Sequence, residues 1–326
     1  MNNNLKDFTL DKISYVLGEE IYTVEDYTKE HPEWDIKKII DKTGIKKINK
    51  VKSSQTAVDL AVQAFNNFFE EYSIERDFID SLIFISQSPD YTLPTSACIL
   101  QDRLRLRKNI LVFDINLGCS GFVNGLSIAT SIINSGVVSN CALVCSETYS
   151  KYISSSNRTC STIFSDGASV TLIEKDGKAS IGPFSFGVDG SGYENLIVRG
   201  SGARKQEGDL IELYMNGPEI LLFTMGHVPK LVKSFLNENN LNLNDIDFFF
   251  FHQASKTVLN ALQKKLKIPS DKFIYDLGDI GNTVSSTIPI SLKKAGEDGK
   301  LNQGDKILIV GFGVGYSSGV GLIKWG

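Results

Sequence analysis

No apolar run in the 326-residue sequence approaches the ~18 residues needed to cross a bilayer. The opening stretch, MNNNLKDFTLDK, also lacks the apolar core of a secretory leader, so the chain is expected to work in the cytoplasm with no membrane as partner. An excess of charge of either sign is lacking too. The 34 Lys and Arg against 38 Asp and Glu leave a net charge of −4, with the cations scattered along helical stretches instead of forming a basic stripe. Nucleic acid is therefore not an expected partner. Histidine is scarce, with 3 in the chain, and no His, Cys, Asp or Glu set has ligand spacing, so no metal is expected. Nor does any carboxylate pair stand poised for acid–base work.

Cysteine is present in an odd number, 5, and only Cys141 and Cys145 are close in sequence. On an alternating strand two such residues share a face but lie ~13 Å apart, too far for a disulfide or a common metal ion. Free thiols in a reducing compartment follow. A cysteine taken at random is a small buried hydrophobe, a reading that suits Cys98, Cys141 and Cys145, with Cys160 intermediate. Cys119 differs. It sits in LVFDINLGCSGFVNGLSIA, where an apolar strand-like run gives way to an amphipathic helical pattern. Gly118, Ser120 and Gly121 permit a tight turn, and a thiol there meets the positive end of a helix, an arrangement that lowers a cysteine pKa. Cys119 is read as a nucleophile.

What is abundant is apolar residue, 42% of the chain, enough for a large core in two domains or one duplicated domain. Three features recur in the same order at a separation of roughly 165 residues, an ordinary domain size. A helix, an acidic turn and an apolar strand appear as TAVDLAVQAFNNFFEEYSIERDFIDSLIFISQSP and again as LLFTMGHVPKLVKSFLNENNLNLNDIDFFFFHQAS. A strand, a small-residue turn and a helix appear as ILVFDINLGCSGFVNGLSIATSII and as FIYDLGDIGNTVSSTIPISLKKA. Paired apolar strands follow each time, CALVCSE with GASVTLIEK and DKILIVGFG with SSGVGLIKWG. Strands alternating with helices predict an α/β fold, and the repeat predicts two similar halves, 1–178 and 179–326, with the cleft between them.

Cys119 and Asn282 fall at matching points of the repeat, each where a strand feeds a helix, so pseudo-symmetry would bring them face to face. His252 ends the run FFFF, where polarity switches abruptly to Gln253, Ala254 and Ser255. Alone, a histidine at His252 would usually be a satisfied core residue, and Asn282 reads at least as well as an N-cap; only their convergence with Cys119 lifts them. His31 and His227 are read as structural. The glycine-rich GFGVGYSSG lacks both the strand–GxGxxG–helix order and the Lys-Ser/Thr ending of a phosphate loop, and is read as a close backbone approach to the reacting centre.

These residues together resemble the 3-oxoacyl-acyl-carrier-protein synthase III family, over nearly the whole chain. The resembling segments are TGI at Thr43 to Ile45, LPTSAC at Leu93 to Cys98, GCSGF at Gly118 to Phe122 and FSDGA at Phe164 to Ala168. HQAS from His252, GNT from Gly281 and FGVGYSSG from Phe312 complete the set. The resemblance implies a thiolase-like fold, internally duplicated, in a five-layered αβαβα arrangement. It implies that Cys119 takes an acyl group from acyl-coenzyme A, with the backbone N–H groups of Cys119 and Val314 as oxyanion hole, each donor worth ~3 kcal/mol or more. His252 and Asn282 would hold the carbonyl of malonyl-acyl-carrier protein as it loses carbon dioxide, and Phe312 would pack by the nucleophile.

The resemblance further implies a homodimer, with Leu93 of one subunit closing the acyl pocket of the other. Arg158, Lys42 and Trp34 would contact coenzyme A, which serves as a thioester substrate with no tightly bound cofactor. Two departures bear on substrate. Family members carry HQAN followed by a carrier-docking arginine, whereas this chain has Ser255, Lys256 and Thr257, leaving Lys256 to supply the docking charge; Gly313-Val314-Gly315 replaces a glycine triplet. These changes fit a specialised paralogue, so acyl transfer from Cys119 to an oxygen or nitrogen nucleophile, in polysaccharide or secondary-metabolite synthesis, stands as the alternative. A non-catalytic partner subunit would be expected to have lost the nucleophile.

Overall fold

A computed structural model describes residues 7–326. The chain runs β1 (Asp7–Thr9), β2 (Ile13–Leu17), β3 (Glu20–Thr23), α1 (Val24–Glu30), α2 (Ile36–Thr43), β4 (Lys47–Lys50) and α3 (Ala57–Tyr72). It continues through β5 (Ser81–Ile85), α4 (Ser96–Arg103), β6 (Leu111–Ile115), α5 (Gly121–Asn134), β7 (Asn140–Glu147), α6 (Arg158–Ser161) and β8 (Gly167–Lys175). The remainder is β9 (Ala179–Val188), β10 (Leu196–Arg199), β11 (Glu212–Met215), α7 (Gly217–Glu238), β12 (Phe248–Phe251), α8 (Lys256–Leu266), α9 (Thr287–Glu297), β13 (Lys306–Gly313) and β14 (Ser317–Lys324).

Strand pairing repeats itself. The ladder β2-β8-β7-β5-β6 recurs as β9-β14-β13-β12, and β1 joins the two by pairing with both β8 and β9. Where β6 stands in the first set, the second has only an isolated parallel bridge between Phe249 and Phe273, so the strand expected at FIYDL is reduced to a single contact. In both sets the central strands bury alternate residues on opposite faces, as sheets covered on two sides must. Ile83 and Ile85 of β5 face one cluster while Leu82 and Phe84 face another; Phe250 of β12 is likewise turned away from Phe249 and Phe251.

The layers follow from these clusters. Helices α5 and α9 share a core with the inner faces of both sets, α3 and α4 cover the outer face of the first, and α7 and α8 cover that of the second. The order is helix, sheet, helix, sheet, helix, the five-layered α/β architecture expected. Helix α5 carries no charged residue in GFVNGLSIATSIIN, because as a middle-layer element it meets protein on most sides. The C-terminal ends of β5, β7, β12 and β13 and the turns into α5 and α9 gather at one end of the layers, where open α/β sheets place their ligands. Among the described residues no helix is long and apolar enough to cross a membrane.

Candidate active site

A cavity of about 590 Å³ opens at this end. Its exposed lining residues Asp35, Lys38, Lys42, Arg158 and Thr257 mark the mouth, and the buried Cys119, Phe164, His252, Asn282 and Phe312 form its base. Three segments remote in sequence therefore bring Cys119, His252 and Asn282 to one place. Cys119 lies in the turn before α5, closed by a hydrogen bond from Gly121 N to Gly118 O at 2.7 Å. The β13 backbone passes directly against it: a Cβ built on Gly313 would fall 2.7 Å from Cys119 Cβ and 3.1 Å from its Sγ. Only glycine allows that approach.

The Cys119 thiol is pushed up from its ordinary value, first by burial and second by the Glu147 carboxylate, the reverse of the lowering expected at a helix N-terminus. Desolvation outweighs the hydrogen bond from the residue's own backbone amide, which acts the other way, because the residue is only 7% exposed. Glu147 itself is fully buried and pushed up to about 8 by the same loss of water. It is thus largely uncharged at neutral pH, and burial is the cause that acts on Cys119 there.

His252 follows β12. Its N–H donates to Val310 O at 2.8 Å and its Nδ1 lies 2.8 Å from Thr287 Oγ1 at the start of α9. Burial pulls the imidazole down to about 3, so the ring is neutral at any ordinary pH. Phe312 meets it edge to face, with ring centroids 5.6 Å apart.

Asn282 is not the cap of α9, a place taken by Ser286. Its Oδ1 instead accepts from Val284 N at 2.9 Å, and its backbone is pinned to Ile163 O and Ser165 N. With Oδ1 occupied, the Nδ2 amide is the free donor. Val284, whose N–H makes the bond to Oδ1, adopts φ +55°, a left-handed conformation that β-branched residues resist.

The other expected residues divide. Lys42, Arg158 and Phe312 line the cavity. Lys256, the first residue of α8, packs beside Gly44 at the rim without lining it. Val314 adjoins the cluster around Cys119, and its carbonyl accepts from Ser317 Oγ at 2.9 Å. Leu93 is 80% exposed and does not line this cavity. Trp34 does not line the cavity. It lies before the N-cap of α2 and stacks on His31 at 3.7 Å and on Tyr27 at 6.3 Å, while Lys38 and Ile39, about one helical turn on, form the cavity wall.

Sequence reasoning missed Glu147, which accepts from Gln87 N, Ser88 Oγ and Ser285 Oγ at 3.1, 2.9 and 3.4 Å and ties three site segments together. Its sole trace in the sequence is an acid ending the apolar run CALVCSE. Thr287, the partner of His252, was hidden in a helix start. Among the described residues no cluster of His, Cys, Asp and Glu could hold a metal ion.

Two family models match the chain. One described as 3-oxoacyl-[acyl-carrier-protein] synthase III covers residues 113–190, and one described as the C-terminal part of the same synthase covers 236–325. The beta-ketoacyl-[acyl-carrier-protein] synthase III of Fusobacterium nucleatum is 31% identical over 324 residues, covering 96% of this chain and 97% of that protein. The enzyme of the same name from Clostridium perfringens is 33% identical, covering 92% and 93%. A crystal structure of a 3-oxoacyl-(acyl-carrier-protein) synthase III superposes with a TM-score of 0.94 at 37% identity, covering 98% of this chain and 100% of the other. That of a 3-oxoacyl-(acyl-carrier protein) synthase from Burkholderia xenovorans gives 0.92 at 29%, covering 98% and 95%.

Proposed function

The chain belongs to the 3-oxoacyl-[acyl-carrier-protein] synthase III family of acyl-transferring condensing enzymes, and from that premise we propose that it carries an acyl group on Cys119 and extends it with malonyl-acyl-carrier protein. In the first half-reaction the sulfur of Cys119 attacks the carbonyl of acyl-coenzyme A. A carbon–sulfur bond forms to Cys119, the bond to coenzyme A breaks, and the thiol proton leaves with the coenzyme A sulfur. In the second, malonyl-acyl-carrier protein loses carbon dioxide, its enolate carbon attacks the acyl-cysteine, and the freed Cys119 thiolate regains a proton. The products are a 3-oxoacyl thioester and carbon dioxide. The observation that carries this reading is the convergence of Cys119, His252 and Asn282 at the base of one cavity.

In this reading the backbone N–H groups of Cys119 and Val314 receive the oxyanion, and His252 with Asn282 receives the enolate oxygen. Lys42 and Arg158 at the mouth meet the phosphate charge of the incoming arm. Lys256 at the rim meets the carrier protein. The two halves, 1–178 and 179–326, divide the work: the first brings the nucleophile and the second the enolate donors. Two copies pair through β6, an edge strand with apolar residues and one partner, which also puts the exposed Leu93 of each copy within reach of the other. Acyl transfer to an oxygen or nitrogen acceptor is not favoured by relatives named as ketoacyl synthases.

With acetyl-coenzyme A and malonyl-acyl-carrier protein, the protein is expected to release carbon dioxide in equal amount to 3-oxoacyl thioester, followed with labelled malonyl carboxylate. Turnover that needs an amine or alcohol and releases no carbon dioxide would overturn the reading. Trp34→Ala tests the assignment of the mouth: KM for the acyl donor should stay within about threefold, while the lost stacking costs ~1–3 kcal/mol and lowers Tm by a few degrees. A tenfold rise in KM would return Trp34 to the binding site.

A further inference from the structure

Two N–H groups stabilise an oxyanion only when both point at one oxygen, so their spacing matters as much as their presence. Here the two come from different halves of the chain. Cys119 lies in the turn into α5, and Val314 follows β13. Each is fixed by its own half, and the link between them has to cross from one half to the other.

The β13 backbone crosses the turn at two glycines. A Cβ on Gly311 would fall 2.8 Å from Ser120 Cα, and one on Gly313 would fall 2.7 Å from Cys119 Cβ. Both are van der Waals contacts, which limit approach without fixing direction. Direction comes from a pair of hydroxyls. Ser120 Oγ and Ser317 Oγ lie 2.7 Å apart, the one hydrogen bond between residues 118–121 and 311–318 among the described residues. A hydroxyl has a single proton, and that of Ser317 goes to Val314 O at 2.9 Å, so Ser120 donates within the pair. The bonds therefore run from the residue after Cys119, through both hydroxyls, to the carbonyl of Val314.

Both ends of this link are anchored. Ser120 is fully buried, and its carbonyl accepts from Asn124 N at 3.2 Å and from Asn124 Nδ2 at 2.9 Å. On the other side, Tyr316 N donates to Asp189 O at 2.7 Å, Asp189 N donates to Tyr316 O at 2.9 Å, and Ser318 Oγ lies 2.9 Å from His227 Nε2. Between Val314 and that anchor stands Gly315 at φ +127°, the residue type with the widest backbone choice, and the Ser317 hydroxyl restricts it.

We propose that Ser120 and Ser317 are positioning residues whose hydroxyls, joined across the two halves, set the spacing of the Cys119 and Val314 N–H groups that receive the oxyanion. This rests on the function proposed above and adds what aligns its oxyanion hole. Neither serine lines the cavity. Removing one displaces a donor without deleting it, so the expected loss is roughly ten- to a hundredfold, below the ~10²- to 10³-fold of a deleted donor. The acyl carbonyl carries the negative charge both when Cys119 is loaded and when the enolate attacks it, so the two half-reactions should fall together.

The test is rapid-mixing mass measurement of the Cys119 adduct with acetyl-coenzyme A, giving the loading rate at saturation and the half-saturating concentration. Carbon dioxide release on adding malonyl-acyl-carrier protein follows the second half-reaction. Ser317→Ala should lower both rates roughly ten- to a hundredfold and keep half-saturation within about threefold. Ser317→Thr keeps the hydroxyl at the start of a strand and should return to within about threefold of native. Ser120→Ala should match Ser317→Ala, standing in for it if that variant does not fold, and the double variant should lose little more, because the two side chains form one link. A folded Ser317→Ala that loads at the native rate, a threonine variant as slow as alanine, or a loss carried by half-saturation instead of rate would overturn the proposal. Absence of an adduct on the native chain would instead strike the function on which it rests.

Discussion

Replacement of Cys119 by alanine is expected to abolish the acyl adduct and to lower condensation at least about 10⁴-fold, the scale on which loss of a covalent nucleophile is felt when the rest of the site persists. The substitution is small. Cys119 is buried in a turn whose geometry is set by the Gly118–Gly121 hydrogen bond and by the passing β13 backbone, and alanine fits both. Stability should therefore change by no more than ~1 kcal/mol, and a lost signal cannot be laid to unfolding. Cys119→Ser is the sharper variant, because it keeps shape and hydrogen bonding and changes only the nucleophile. A thiol pushed up by burial holds little thiolate before substrate arrives, so activation must accompany binding, and a hydroxyl in the same place would be weaker still. An acyl adduct of undiminished yield on Cys119→Ala, mapped to another residue such as Cys160, would remove Cys119 from the chemistry.

The contrast between Cys119 and its pKa shows what the sequence could and could not disclose. Its place, between an apolar strand and a helix start, is local information and was readable, as was its matching with Asn282 through the repeat. Its environment is not local. Burial by the cluster of Tyr149, Phe164 and Val284 comes from segments up to about 165 residues away in the chain and pushes the thiol up. Trp34 stands off the cavity lining for a related reason. The motif gave the right neighbourhood, but the phase of α2 decides which residue faces the cavity, and phase turns on where Asp35 starts the helix. The strands of the repeat were legible because alternating or continuous apolar runs of 4 to 9 residues are hard to mistake, whereas FIYDL, with one bridge, kept the pattern of a strand without becoming one. Glu147 and Thr287 were out of reach because their roles exist only as contacts to side chains elsewhere.

Asn282→Ala should separate the two half-reactions: loading of Cys119 stays within about threefold of native, and release of carbon dioxide with 3-oxoacyl product falls 10²- to 10³-fold, the usual effect of removing one preorganised oxyanion donor. The reason lies in how the amide is held. Val284 N–H occupies Asn282 Oδ1 at 2.9 Å, so on the proposed reading the amide is already fixed when substrate enters and Nδ2 needs no reorganisation as charge develops on the enolate oxygen. In the proposed mechanism His252 supplies the second donor by a different device. Its ring is neutral because burial pulls it down to about 3, and Thr287 Oγ1, 2.8 Å from Nδ1, fixes its orientation. A neutral donor suits this role, because it stabilises the enolate without being a proton source strong enough to quench the carbanion before it attacks. His252→Ala should accordingly follow Asn282→Ala, and the double variant should lose little beyond the worse single one, since the two donors serve a single oxygen and act as a unit. Asn282→Asp is expected to be worse than alanine, because a carboxylate would face the developing negative charge instead of donating to it. Were loading and condensation to fall together in Asn282→Ala, the amide would belong to the binding of the first thioester, and the division of labour between the two halves of the chain would have to be redrawn.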